Sequence, residues 1–202
     1  MWISYLLQGA ALGLSASATP GPLQAFLISR AMLHGWKRTL PATLAPVLSD
    51  GPIVALVLFA LTRLPPDFIR FLRIAGGLYI LYLAWRTYQS FRSFSSDAPA
   101  AQDTHRSLLQ AMGINLLNPN PYIFWSLAAG PAVLQGWAIH PALALAFIVG
   151  FYGIFVLSSA LLVILFSTAR ALGPRAIRLL LAVSAVALLA FALYQIYQGI
   201  FL

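Results

Sequence analysis

Residues 107 to 169 form a run of 63 residues that contains no Asp, Glu, Lys or Arg. The rest of the chain is nearly as apolar, since only 8% of its 202 residues are charged and 61% are hydrophobic. Soluble domains carry about 25% charged residues, and a soluble fold of this size cannot hide so much apolar side chain from water. The sequence therefore predicts an all-α membrane protein and excludes soluble enzymes and nucleic-acid-binding domains.

Six apolar segments are candidates for crossing a bilayer, which takes about 20 residues of helix. Residues 1–29, 74–85 and 179–202 contain no charged side chain, and residues 39–62 contain one. Proline, glycine and polar residues between 130 and 141 predict a turn that divides the long run into two helices. We therefore expect six transmembrane helices. No Lys or Arg precedes the first segment, so we expect it to remain as a helix rather than to be cleaved as a signal peptide.

Lysine and arginine are distributed unequally between the two sides of these helices. Nine follow the first, third and fifth helices, namely Arg30, Lys37, Arg38, Arg86, Arg92, Arg106, Arg170, Arg175 and Arg178. Three lie on the opposite side, namely Arg63, Arg70 and Arg73. Because basic loops stay in the cytoplasm, we expect both termini to lie outside. This distribution explains the net charge of +8 without a nucleic-acid partner,.

The chain, a single transmembrane domain over residues 1–202, repeats its own pattern. The sequence Thr-Pro-Gly-Pro at 19–22 has a counterpart 99 residues later, Asn-Pro-Asn-Pro at 118–121. Residues 1–91 and 107–202 then form two repeats of three helices, joined by a cytoplasmic linker at 92–106. An odd number of helices per repeat inverts the second repeat across the bilayer, as in transporters that alternate between inward and outward states.

Both of these proline-rich motifs lie deep in an apolar segment and should break the first and fourth helices. Proline removes a backbone donor and clashes with the preceding turn. Helix breaks at membrane depth occur where they line protein or a water-filled cavity, and the half-helix after a break presents free N–H groups and partial positive charge. Two such ends would bind a carboxylate. The predicted binding residues are Thr19, Pro20, Gly21, Pro22, Asn118, Pro119 and Asn120.

Asp50 is the only acidic residue inside a predicted helix, because Asp67, Asp97 and Asp103 fall in loops. An acidic residue at the centre of a transmembrane helix costs about 2.5–3.5 kcal/mol on insertion scales, so such residues are usually functional. We expect Asp50 to carry a coupling proton or to bind an ammonium group. The alternative is a structural acid that is hydrogen-bonded to unwound backbone.

The sequence lacks the residues that several other functions require. The chain contains no cysteine, which excludes disulfides and thiolate metal sites. Its three histidines lie near loops without metal-ligand spacing,. No hydrolase motif or nucleophile–base pair occurs in the apolar segments. We therefore expect no cofactor, no bound metal and no enzymatic activity.

Four elements resemble the lysine-exporter family, which includes homoserine and threonine exporters. They are Thr-Pro-Gly-Pro at 19–22, the Asp-Gly pair at 50–51, Gly-Gly-Leu-Tyr-Ile-Leu at 76–81 followed by Arg86, and Asn-Leu-Leu-Asn-Pro at 115–119. The resemblance implies a six-helix exporter of amino acids or related metabolites in the bacterial inner membrane, usually taken to be driven by the proton gradient. It also adds Asn115 to the predicted binding residues. Many relatives carry Lys after Asn-Pro where this chain has Asn120, so their substrates do not transfer to it.

The function expected from these observations is export of an amino acid or similar small zwitterion in exchange for protons. One alternative is a divalent-metal exporter of related fold, although a single Asp beside an Asn pair offers few ligands. Another is a membrane subunit that only organises partners. The sequence leaves open which substrate is moved and whether the chain forms a homo-oligomer.

Overall fold

Every structural element is helical within the residues described by a computed structural model, which are 1–59, 66–92, 104–168, 171 and 173–201. Ten α-helices occur in these ranges: α1 (Trp2–Ala18), α2 (Pro22–His34), α3 (Trp36–Thr39), α4 (Ala45–Phe59), α5 (Pro66–Arg92), α6 (Thr104–Leu117), α7 (Pro119–Phe124), α8 (Gly130–Ile139), α9 (Pro141–Thr168) and α10 (Pro174–Phe201). A 3₁₀ turn at Leu40–Leu44 precedes α4, and a π-helical turn at Trp125–Ala129 joins α7 to α8. Most of the predicted linker lies outside the described residues.

The first and fourth apolar segments are broken where the sequence predicts. The chain leaves α1 after Ala18 and begins α2 at Pro22, and it leaves α6 after Leu117 and begins α7 at Pro119. In both cases a proline stands in the first turn of the new helix, where its missing N–H costs no intrahelical hydrogen bond.

The expected turn between residues 130 and 141 is wrong in extent. Residues Gly130–Ile139 are helical, and the chain turns only at His140. Pro131 is accommodated because it stands in the first turn of α8,. Gly136 serves close packing instead of a turn, since a Cβ there would lie 3.0 Å from the backbone nitrogen of Ala144 on α9. Small residues at helix contacts are common in membrane proteins.

Arginines of α5, the third predicted transmembrane helix, donate hydrogen bonds to the backbone carbonyls at the end of α10. α5 continues beyond the charge-free segment at both ends. Arg70 Nε donates to the carbonyl oxygen of Gly199 at 2.8 Å, and an Arg73 guanidinium nitrogen donates to that of Gln198 at 3.3 Å. These carbonyls belong to the last turn of α10, which has no intrahelical donors for them.

Arg30 is buried, although the sequence suggested a loop residue that only sets topology. Its side chain is 5% exposed within α2. One guanidinium nitrogen donates to Gln110 Oε1 on α6 at 3.0 Å, and the guanidinium lies 5.0 Å from the centre of the Phe26 ring. Arg30 therefore joins the first and second halves of the chain by a buried hydrogen bond.

The helices pack in two main pairs, α1 with α9 and α5 with α10. In the first pair the backbones approach closely, since a Cβ at Gly9 would overlap the carbonyl oxygen of Phe147, and one at Gly150 would overlap that of Leu6. The core at the centre contains Phe26, Trp125 and Phe147. The outer faces of α9 and α10 expose leucine and valine along their length, as lipid-facing helices do.

Three helical stretches among the described residues are long and apolar enough to cross a membrane: Trp36–Val57, Pro141–Thr168 and Pro174–Phe201. The other three predicted segments are not continuous apolar helices. The first and fourth are interrupted by their breaks, and the third, α5, carries several arginines. The chain is a multi-pass membrane protein.

Candidate functional site

A cavity of about 440 Å³ lies where the two helix breaks meet. Its lining includes every predicted site residue except one: Thr19, Pro20, Gly21, Pro22, Asp50, Asn115, Asn118 and Asn120. Pro119 is buried and does not line the cavity. Residues predicted from three separate segments of the sequence therefore share one cavity.

The first break presents an open helix end to this cavity. α2 begins after Gly21, whose backbone is extended, and no side chain caps this end. Pro22 has no N–H, so the first-turn donors are the N–H groups of Leu23 and Gln24, which have no partner within the helix. Both residues line the cavity. An anion placed there would meet two N–H groups and the positive end of the helix dipole.

The second break differs from the expectation of a second open helix end. Asn118 Oδ1 accepts a hydrogen bond from the backbone N–H of Asn120 at 3.1 Å, so the side chain of Asn118 caps α7. Pro119 and Pro121 lack an N–H. The first turn of α7 therefore has no donor left for a ligand, and this break offers the side-chain amides of Asn118 and Asn120 to the cavity instead.

Side chains also satisfy the carbonyl ends of the helices that precede the breaks. Gln24 Nε2 donates to the carbonyl oxygen of Ser17 at 3.3 Å, across the first break. At the second break, the Tyr122 hydroxyl donates to the carbonyl oxygen of Leu116 at 2.9 Å. Each break is therefore held in shape by a side chain from the helix that follows it.

Asp50 is 4% exposed and accepts hydrogen bonds from three side chains. Asn115 Nδ2 donates to Oδ1 at 2.6 Å, while Trp125 Nε1 and the Tyr152 hydroxyl donate to Oδ2 at 3.2 and 2.8 Å. Asn115 also contacts Ser49 Oγ at 2.7 Å. The expected alternative, an acid bonded to unwound backbone, is not what the structure contains, because Asp50 lies within continuous α4 and its donors are side chains.

All three donors to Asp50 come from the second half of the chain: from α6, from the π-helical turn and from α9. The turn begins at Trp125, whose ring is 2% exposed. A π-helical turn inserts an extra residue into a helix and is frequent at functional sites. Trp125 and Tyr152 are partners of Asp50 that the sequence did not predict.

The remaining wall of the cavity is apolar. It includes Leu23, Phe124, Phe151 and Phe155, and the rings of Phe124 and Phe151 stack with centroids 5.4 Å apart. Among the described residues, the lining contains no lysine or arginine, and Asp50 is its one charged residue. The cavity thus combines an uncapped helix N-terminus, a carboxylate, several amides and an apolar wall.

Comparison with known proteins identifies the family. A family model described as "LysE type translocator" matches residues 14–199. Two curated relatives, the cysteine/O-acetylserine efflux proteins of Salmonella choleraesuis (strain SC-B67) and Salmonella typhimurium (strain LT2), are each 27% identical over 154 residues, covering 69% of this chain and 73% of the relative. No solved structure matches the chain. Since the family model spans both helix breaks and the cavity they form, the chain belongs to the LysE type translocators and is a transporter rather than an enzyme.

Proposed function

We propose that this protein exports an amino acid or a similar small zwitterion across the bacterial inner membrane in exchange for protons. The observation that carries the proposal is that an open helix N-terminus and a buried carboxylate line the same cavity. A zwitterion carries a carboxylate that the helix N-terminus can bind and an ammonium group that the buried carboxylate can bind. The names of the relatives, which describe efflux of cysteine and O-acetylserine, support the same class of substrate.

The substrate carboxylate binds at the first break. The N–H groups of Leu23 and Gln24 donate to it, and the backbone at Thr19, Pro20 and Gly21 leaves room for its approach. Hydrogen bonds to a charged group are worth about 1.5–3 kcal/mol each when both partners are well placed. At the second break, the amides of Asn118 and Asn120 donate to the same carboxylate or to its neighbouring atoms, while Pro119 keeps the break in place.

Asp50 accepts either the substrate ammonium or the coupling proton. Its two oxygens already accept three hydrogen bonds, so a bound ammonium displaces a donor or shares an oxygen with it. A proton on Oδ2 has a ready partner in the Tyr152 hydroxyl, which can reverse from donor to acceptor, whereas the Trp125 indole can only donate. Proton binding therefore reverses the Tyr152 contact, and substrate binding competes for the same two carboxylate oxygens.

The size and polarity of the cavity favour a small, uncharged side chain on the substrate. The wall opposite the amides is apolar, and the described lining residues include no cation that could hold a second carboxylate. A second positive charge would need an acceptor beyond Asp50. Small neutral amino acids and their O-acylated derivatives satisfy these conditions.

The proposed architecture is six transmembrane helices in two inverted repeats. The order of elements supports it: the broken pair α1–α2 corresponds to α6–α7, the apolar α4 to α9, and α5 to α10, which have 27 and 28 residues. Packing follows the same correspondence, since α1 lies against α9 and α6 lies against α4. Export then proceeds by movement of one repeat against the other around the cavity.

The test is uptake of labelled amino acids into inverted membrane vesicles that contain the protein, with and without an imposed proton gradient. Accumulation of a neutral amino acid that requires the gradient supports the proposal. Accumulation of a divalent metal instead of any amino acid identifies the metal-exporter alternative. Absence of transport for both classes identifies a subunit without transport activity of its own, and either result contradicts the proposal.

A further inference from the structure

A second concavity lies on the outer face of the protein, apart from the central cavity. It is a groove of about 760 Å³ between α5 and α10. Its lining includes Leu78, Leu81, Tyr82 and Trp85 from α5 and Ala185 and Val186 from α10. Trp85 is 56% and Val186 is 65% exposed. The groove is therefore apolar and open to the outer, lipid-facing surface of the protein.

Aromatic residues mark the depth of this groove in the bilayer. α5 carries an aromatic residue at every third position from Tyr79 to Phe91, and Trp85 and Tyr88 lie with ring centroids 5.9 Å apart. Tyrosine and tryptophan gather at the level of lipid headgroups, where the ring is in apolar surroundings and the polar atom is in water. One end of the groove thus reaches the headgroup region.

Arginines surround that same end. An Arg86 guanidinium nitrogen donates to the Tyr82 hydroxyl at 3.2 Å. Arg92 follows Trp85 by seven residues and Arg178 precedes Ala185 by seven, which is about two helical turns, so each lies on the groove face of its own helix. The acidic residues of the described ranges, Asp50 and Asp67, lie on α4 and at the opposite end of α5. The described side chains at this end of the groove carry a net positive charge.

We propose that the groove between α5 and α10 is a binding site for an anionic phospholipid, with an acyl chain along the groove and the phosphate at Arg86 and Arg92. Basic residues at the cytoplasmic ends of transmembrane helices attract anionic headgroups by about 1 kcal/mol each. A zwitterionic phospholipid would fit the apolar groove equally well but would gain less from the arginines. The site therefore selects by headgroup charge, and the groove determines where the selected lipid lies.

Native mass spectrometry of the whole protein, taken from nanodiscs with equal amounts of phosphatidylglycerol and phosphatidylcholine, tests the proposal. We expect one phosphatidylglycerol retained per chain in preference to phosphatidylcholine. Arg86→Gln combined with Arg92→Gln should lower this preference by about fivefold for each arginine removed. Lys37→Gln is the control, because Lys37 lies over the Trp36 ring and outside the groove.

A second pair of variants tests the groove itself without altering charge. Val186→Trp fills the groove and should reduce lipid retention, whereas Val183→Trp, at another exposed position of α10 outside the groove lining, should leave it unchanged. Equal retention of the two lipids, or loss with Lys37→Gln as large as with the arginine variants, would overturn the proposal. A lipid-free dimer that Val186→Trp converts to monomer would show that a second copy of the chain occupies the groove, and would also overturn it.

Discussion

At the residue scale, the carboxylate of Asp50 is surrounded by donors that cannot all keep their roles when it becomes neutral. Oδ2 accepts from both an indole and a phenol, and Oδ1 accepts from an amide. An ionised carboxylate is an acceptor only, whereas a protonated one must also donate. A change of charge at this single side chain therefore changes hydrogen bonds to three helical elements at once.

Asp50→Asn keeps the shape of the side chain and removes its exchangeable proton. We expect accumulation driven by a proton gradient to fall to the level of protein-free vesicles, while exchange of substrate down its own gradient survives. Expression should hold or rise, because an amide costs less than a carboxylate in the membrane. Paired flux assays in reconstituted vesicles measure both activities. Wild-type accumulation in Asp50→Asn would show that Asp50 is structural, and loss of both activities would indicate direct contact with the substrate amine.

The sequence pointed to Asp50, Asn115 and the two breaks, but not to Trp125 and Tyr152, the other two residues that donate to Asp50. Acidic residues are rare in apolar membrane segments and prolines are rare inside helices, so both can be recognised as unusual from the sequence alone. Trp125 and Tyr152 are not unusual in this way, because aromatic residues are common in membrane helices. They lie 75 and 102 residues from Asp50, and only tertiary packing brings them to it.

At the element scale, the two helix breaks look equivalent in the sequence but are not equivalent in the structure. The α2 end has free N–H groups, whereas Asn118 caps the α7 end. The difference arises from where each helix begins within its motif. α2 begins at the second proline of its motif, so its N-cap is Gly21, which has no side chain. α7 begins at the first proline of its motif, so its N-cap is Asn118, whose side chain can accept a hydrogen bond. Local spacing predicted both breaks, but the cap depends on where each helix begins.

The first break can be removed by restoring helix-forming residues. Pro20→Ala combined with Pro22→Ala should let α1 continue into α2 and remove the open end. We expect at least tenfold weaker export, consistent with the loss of two hydrogen bonds to a charged group, with normal membrane insertion. Pro119→Ala combined with Pro121→Ala is the matched variant at the capped break and should lose less. Equal export by both double variants and the wild type would reduce the breaks to simple kinks.

The contact between α1 and α9 allows a test of packing. A Cβ at Gly150 would overlap backbone of α1, whereas Gly153, one turn further along α9, has nothing within 4 Å. Gly150→Ala should destabilise the protein by about 1–3 kcal/mol through overpacking. Gly153→Ala should be neutral or slightly stabilising, because alanine favours helix more than glycine. Thermal unfolding in detergent compares them, and equal melting temperatures would contradict this account of the pair.

At the scale of the whole molecule, the described helices occur in the same order in the two proposed repeats, and the proposed topology places most basic residues on one side of the membrane. The sequence predicts that topology from charge-free runs and turn residues. It misplaced the boundary before α9, because proline and glycine in α8 serve a helix start and a close contact rather than a turn. Periodicity and composition do not distinguish these uses of the two residues.

The unequal distribution of basic residues predicts that both termini lie outside. Alkaline phosphatase fused at the C-terminus should be active, since this enzyme folds only outside the cytoplasm, and a green fluorescent protein fusion at the same point should be dark. Insertion of the two reporters between Arg92 and Thr104 should give the opposite pattern. A fluorescent C-terminal fusion would disprove the six-helix orientation.

Polar contacts join the two halves of the chain in addition to the peptide bonds between them. Arg30 bonds Gln110, and Asp50 bonds three side chains beyond residue 104. Two separately translated fragments, ending at Arg92 and beginning at Thr104, should therefore recognise each other in the membrane and restore export. Coexpression and copurification of tagged fragments measure this, and Asp50→Leu in the first fragment should weaken the pairing. Copurification and restored export would show that the two halves associate as the subunits of a heterodimer do, although one chain encodes both.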